Sequence, residues 1–117
     1  MAEDRDANYV RPMHLQPIVY VTDMAASTAW YGALLGAVPA LASEHWTAFD
    51  CGGATLALHL TDEDLAAGSV ELSLVADAPL EAVHGRVSGA TEIIVQPFGR
   101  SFNVSDPDGT VIQVNEH

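Results

Sequence analysis

The chain has 117 residues, 49% of them apolar, which is one domain's worth of sequence with enough apolar side chain for a packed core. Sixteen acidic residues against four basic ones leave a formal net charge of −12, a surface that repels phosphate backbones and argues against a nucleic-acid partner. No apolar run has the length of a membrane span, and one cysteine, Cys51, forms no intrachain disulfide, so a cytoplasmic protein is expected.

Residues 1–12, MAEDRDANYVRP, are acidic and polar and lack the apolar centre of a secretory signal; they read as a flexible arm. HLQPIVYVTD, residues 14–23, is a β-rich run ending in Asp23, a good helix N-cap. The helix follows in MAASTAWYGALLG, with Ser27, Trp30, Tyr31 and Leu34 on one face and Gly36 as its stop. Trp30 and Tyr31 are expected to pack the helix on a sheet. AVPALAS is a short strand. WTAFDC and ATLALHL flank Gly52-Gly53, a two-residue hairpin signal. The order is βαβββ. The second half repeats it. SVELSLVAD is a strand with Asp77 as the next cap, and APLEAVHGRVSG is a helix with Leu80, Val83 and Val87 on one face, Pro79 in its first turn and Gly85 weakening it. TEIIVQP is a strand. RSFNVS and TVIQVNE flank the turn Asp106-Pro107-Asp108-Gly109.

Three features stand in a specific order: Val21-Thr22-Asp23, then Trp30-Tyr31 with Leu34-Leu35-Gly36, then Asp106-Pro107-Asp108-Gly109 before an alternating strand. Together they resemble the vicinal oxygen chelate superfamily, the glyoxalase, bleomycin-resistance and dioxygenase group, over nearly the whole chain. Trp46 to His59 resembles the middle hairpin of the bleomycin-resistance-like branch. The resemblance implies one α+β domain over residues 1–117, made of two tandem βαβββ modules at about 14–61 and 69–116. They would form a curved, open mixed sheet around a pocket, with helices on the convex face.

Alternation along strands sorts the residues by face. Leu15, Pro17, Val19 and Val21 go under the first helix; His14, Gln16, Ile18 and Tyr20 go into the pocket. The Gly-Gly turn pairs Cys51 with Ala54, Asp50 with Thr55 and Trp46 with His59, and paired residues share a face. Leu56, Leu58 and Leu60 lie under the helix, while Thr55, Ala57 and His59 face the pocket with Ala48 and Trp46. In the second half Leu72, Leu74, Ile112 and Val114 go under. Glu71, Ser73, Val75, Val111, Gln113 and Asn115 go in, and Phe102 is expected opposite Gln113.

Metal-binding members of the resembled group take one ligand from each of four strands, positions that fall on Gln16, His59, Glu71 and Gln113. His59 and Glu71 are competent ligands for Zn, Ni or Fe; the two glutamines are neutral and weak. A glutamine at the last position removes the carboxylate that would serve as general base. The competing reading makes His59 a hydrogen-bonded wall residue and Glu71 a polar pocket residue. A lining of Tyr20, Trp46 and Phe102 with Gln16, Gln113 and Asn115 is aromatic and amide-rich, suited to a bulky flat ligand. Trp46 is open to a second reading as a hairpin-core or dimer-interface residue. Two functions are therefore in play. One is a homodimeric, non-catalytic protein that sequesters a bulky aromatic (polyketide or enediyne-type) or bleomycin-like drug without cofactor. The other is a metal-dependent glyoxalase-like lyase or isomerase, or a ring-cleaving dioxygenase.

Overall fold

The computed structural model describes residues 13–62, 67–76, 78–97 and 99–116. These form ten strands and two helices, an α+β fold of two five-stranded mixed sheets. The strand expected over residues 14–23 breaks in two. β1 (Met13–Leu15) and β2 (Ile18–Val21) are separated by Gln16-Pro17, and they enter different sheets. Proline has no N–H to give a ladder, so the run cannot continue through Pro17 unbroken. Leu15, expected under a helix, is more than half exposed at this break. The chain divides into two compact units, Leu15–Ser73 and a second formed by residues from Leu74 onward with Met13 and His14.

In the first unit β2 leads into α1 (Met24–Leu35), β3 (Leu41–Ala42), β4 (Trp46–Asp50), β5 (Thr55–Leu60) and β6 (Val70–Glu71). Its sheet runs β3-β4-β5-β2-β6, with β2 parallel to β5 and the pairs β2–β6, β3–β4 and β4–β5 antiparallel. Asp23 caps α1 by accepting the Ala26 N–H at 3.0 Å, and Gly36 closes it at φ 65°, donating to the Gly32 carbonyl. Only glycine takes that left-handed angle without strain. Val21, Phe49 and Leu58 form the core beneath the helix, with Val19, Leu56, Met24 and Tyr31 packed on it. Gly32 sits in a tight place: a Cβ there would meet the Ala37 carbonyl oxygen at 3.1 Å and the Phe49 ring at 3.8 Å. The helix uses its apolar surface only in part. Trp30, expected in the packing, is 60% exposed and Leu34 65%; Trp30 stands edge-on to Tyr31 at 4.9 Å.

The second unit contains β7 (Ser73–Ala76) from Leu74 onward, α2 (Leu80–His84), β8 (Ile94–Gln96), β9 (Gly99–Ser105) and β10 (Val111–Glu116). Its sheet runs β1-β7-β10-β9-β8. The core is Ala76, Leu80, Val83, Phe102 and Val114, flanked by Leu74, Val104 and Ile112. The helix is far shorter than the expected 78–89. It stops at Gly85, where the backbone turns, and Val87 is left exposed. Leu72, also expected in the core, is exposed between β6 and β7. Asp77, expected as the cap, lies outside the described residues. Pro79 holds the cap position without a side-chain bond, and the Leu80 N–H donates to Glu116 Oε1 at 3.3 Å. Arg100 clips this unit: its guanidinium donates to both oxygens of Glu116, at 3.0 and 2.9 Å, and to both of Glu81. Those bonds hold the Glu81 carboxyl down at about 2 and Glu116 below its ordinary value.

The turn between β9 and β10 corrects one assignment. Asp106 N–H donates to the Thr110 carbonyl, so Ser105 pairs with Val111, Asn103 with Gln113 and Phe102 with Val114. Phe102 therefore lies in the core beneath α2, its ring edge-on to His84 at 5.0 Å, and not opposite Gln113. A slip of one residue moves a side chain to the other face of a sheet. Among the described residues no helix is long and apolar enough to cross a membrane.

Candidate functional site

The first unit's sheet has a second face, away from α1, and two rows of its side chains carry the candidate residues. Trp46 of β4 pairs with His59 of β5, which pairs with Tyr20 of β2. Ala48 pairs with Ala57, Ala57 with Ile18, and Ile18 with Glu71 of β6. The Gly52-Gly53 hairpin sets this register: Cys51 N–H donates to the Ala54 carbonyl at 2.8 Å, so each later pair follows by counting outward. The expected pairing of Trp46 with His59 is found. Ala57 and Ile18 are almost fully buried, Trp46 and Tyr20 are half-buried, and His59 is exposed.

The first row is a run of three rings on adjacent strands. Tyr20 and His59 lie 5.3 Å apart at a tilt of 42°, and Trp46 and His59 5.8 Å apart at 86°. These are the offset and edge-on arrangements that ring quadrupoles favour. The Tyr20 hydroxyl reaches across to the second row and donates to Glu71 Oε1 at 2.6 Å. Burial first, then the bond to Glu71 and its negative charge, push the Tyr20 phenol well above its ordinary value, so it stays protonated and remains a donor. The His59 ring is fixed by Nδ1, 2.8 Å from the Leu60 carbonyl oxygen. A carbonyl only accepts, so Nδ1 carries the proton and Nε2 is the acceptor of the neutral ring.

The other expected site residues are placed as follows. Gln16 is buried, and its backbone is tied to Ser73 twice: Gln16 N–H donates to the Ser73 carbonyl, and Ser73 Oγ donates to the Gln16 carbonyl. That makes Ser73 a brace for the strand break. His14 belongs to the second unit and is half-buried. In that unit Gln113 and Asn115 lie on the face away from the core, joined there by Asn103 and Ser101 as their partners. Sequence reasoning missed those two because it placed Phe102 there; closing the turn at Thr110 would have found them. Asn115 is buried, its Nδ2 sits 3.5 Å from the Leu74 carbonyl, and its Oδ1 has no partner among the described residues.

The metal positions implied by the resemblance fit such an ion poorly. Glu71 gives one oxygen to the Tyr20 phenol, and Gln16 and Gln113 are neutral. Among the described residues no three of His, Cys, Asp and Glu gather so as to hold a metal ion. The ring row brings together stacking surfaces, the Glu71 carboxylate and one imidazole acceptor.

No protein-family model and no curated protein matches the chain. Solved structures do. One is described as an NAD-dependent benzaldehyde dehydrogenase from Legionella pneumophila, 24% identical over 87% of this chain and 97% of that one, with a TM-score of 0.67. A glyoxalase/bleomycin resistance protein/dioxygenase superfamily member from Vibrio splendidus 12B01 is 17% identical over 90% and 99%, with a TM-score of 0.65. An uncharacterized protein from Methanosarcina mazei is 19% identical over 92% and 94%, with a TM-score of 0.56. At these identities the likeness is one of fold: the chain is built like a glyoxalase/bleomycin resistance/dioxygenase superfamily member.

Proposed function

We propose that this chain binds a bulky, flat small molecule and sequesters it without turnover, as a drug-binding protein of the polyketide, enediyne or bleomycin kind would. The observation that carries the reading is the row Trp46–His59–Tyr20, three rings side by side on neighbouring strands. A ring platform contributes affinity by burial and stacking, about 0.5–1.5 kcal/mol per aromatic pair beyond area. Among the described residues no three of His, Cys, Asp and Glu gather to hold a metal ion that would drive a reaction there. The phenol of the row is kept protonated, and one oxygen of the Glu71 carboxylate accepts that phenol's hydrogen bond. The absence of a resident metal is part of the proposal and follows from the poor donor set.

The protein works as a homodimer in this reading, and the support is the apolar surface left out by α1 and β3: Trp30, Leu34, Val38 and Leu41 are all well exposed. A native mass spectrum recorded with and without aromatic antibiotics tests both parts. A dimer carrying unaltered drug is expected. Conversion of the drug, or one divalent metal per chain after purification without chelator, would overturn the sequestration reading in favour of a metal-dependent lyase or oxygenase.

A further inference from the structure

We propose that the ring row and Glu71 form a subsite for an organic cation, so that the flat ligand carries a protonated or quaternary nitrogen. The inference rests on the binding reading above and deepens it by assigning the ligand a charge. Ring faces are negative at their centres and attract cations within about 6 Å. Here two aromatic rings flank an imidazole whose Nε2 is an acceptor, and a carboxylate stands at the end of the row. Only Oε1 of Glu71 is used by the Tyr20 hydroxyl, which leaves Oε2 for a ligand N–H. The phenol donates a hydrogen bond without removing the carboxylate's charge.

The surroundings select the same sign. The basic residues of the chain are Arg5, Arg11, Arg86 and Arg100, so the unit from Leu15 to Ser73 has no lysine or arginine. It has Asp23, Glu44, Asp50, Asp62, Glu63, Asp64 and Glu71. An anionic ligand would find no cationic side chain in this unit, whereas a cation meets rings, a carboxylate and a favourable field. A bare inorganic ion would prefer a cage of oxygens, which the row lacks. A flat organic cation suits the rings and the Glu71 carboxylate together.

Calorimetric titration of the full chain with three probes of one shape tests the subsite: N-methylacridinium, acridine in mildly alkaline buffer where it is uncharged, and acridine-9-carboxylate. The cation should bind about tenfold more tightly than neutral acridine, and the carboxylate weakest. Glu71→Gln should bring cation and neutral probe close to parity, while Glu92→Gln, an equal loss of charge in the other unit, keeps the preference. Tyr20→Phe retains the ring and releases the carboxylate, so the preference should hold or grow. Equal binding of all three probes, or a preference untouched by Glu71→Gln, overturns the subsite and leaves the platform standing. Failure of every probe to bind overturns both.

Discussion

The two units follow one βαβββ plan and spend it differently. In the first, a twelve-residue helix capped at both ends covers its sheet loosely and turns Trp30 and Leu34 outward. In the second, a five-residue helix buries Leu80 and Val83 and is held by an arginine rather than a cap. The faces away from the helices differ as well. One carries rings, an imidazole and a carboxylate; the other carries Ser101, Asn103, Gln113 and Asn115. A repeated frame thus supplies two surfaces of unlike chemistry, and the first is the one to which the proposal assigns a ligand.

The contrast can be broken most directly at Phe102. If it is core, as its position beneath α2 requires, Phe102→Ala costs about 3–5 kcal/mol in a denaturant melt, as Phe49→Ala does in the first unit. A stable Phe102→Ala variant with lost ligand affinity would instead place the ring on the binding face. Next comes Trp46→Ala, which should weaken flat probes about tenfold with little change in stability. Unchanged affinity would remove the platform. The helix starts give a smaller effect. Asp23→Ala should cost about 1 kcal/mol, whereas Pro79→Ala, with no side-chain cap to lose, should stay within about 0.5 kcal/mol. Equal losses at both would erase the difference in capping.

The smallest effect is pH-dependent. Glu81 and Glu116 ionise more readily in the folded chain because Arg100 bonds their carboxylates. The unfolded chain therefore takes up protons first as acid is added. The contribution of these bonds is intact above 4.5, the ordinary value, and is lost as pH falls toward about 2, where Glu81 itself titrates. Glu81 is exposed and Glu116 partly so, so the effect is modest. Melting temperature against pH should fall less steeply in that window for Arg100→Gln than for the wild type; parallel curves would mean the clip contributes nothing net.

Legibility followed the turns. Gly52-Gly53 allows one close pairing, so Trp46 opposite His59, and with it the ring row, could be counted from the sequence. Asp23 and Gly36 mark α1 because each performs a single backbone task. The Asp106–Gly109 turn permits more than one closure, and the sequence does not say that Asp106 and Thr110 close it. That ambiguity put Phe102 on the wrong face. The length of α2 was hidden because Val83 and Val87 fit a helical period that Gly85 interrupts. The Tyr20–Glu71 bond links residues 51 positions apart, and alternation could assign both to one face without revealing that they meet.

The Arg100 clip has a consequence for how the protein answers to electrolyte. A solvent-facing unlike-charge cluster loses some attraction as ionic strength rises, because mobile ions compete for and screen its charged ends. A unit whose charged side chains are all anionic is relieved by the same ions, since only repulsion is there to screen. Adding sodium chloride should thus slow amide exchange in β4 and β5 and hasten it in β9 and β10, so that one variable moves the two halves of a single chain in opposite directions.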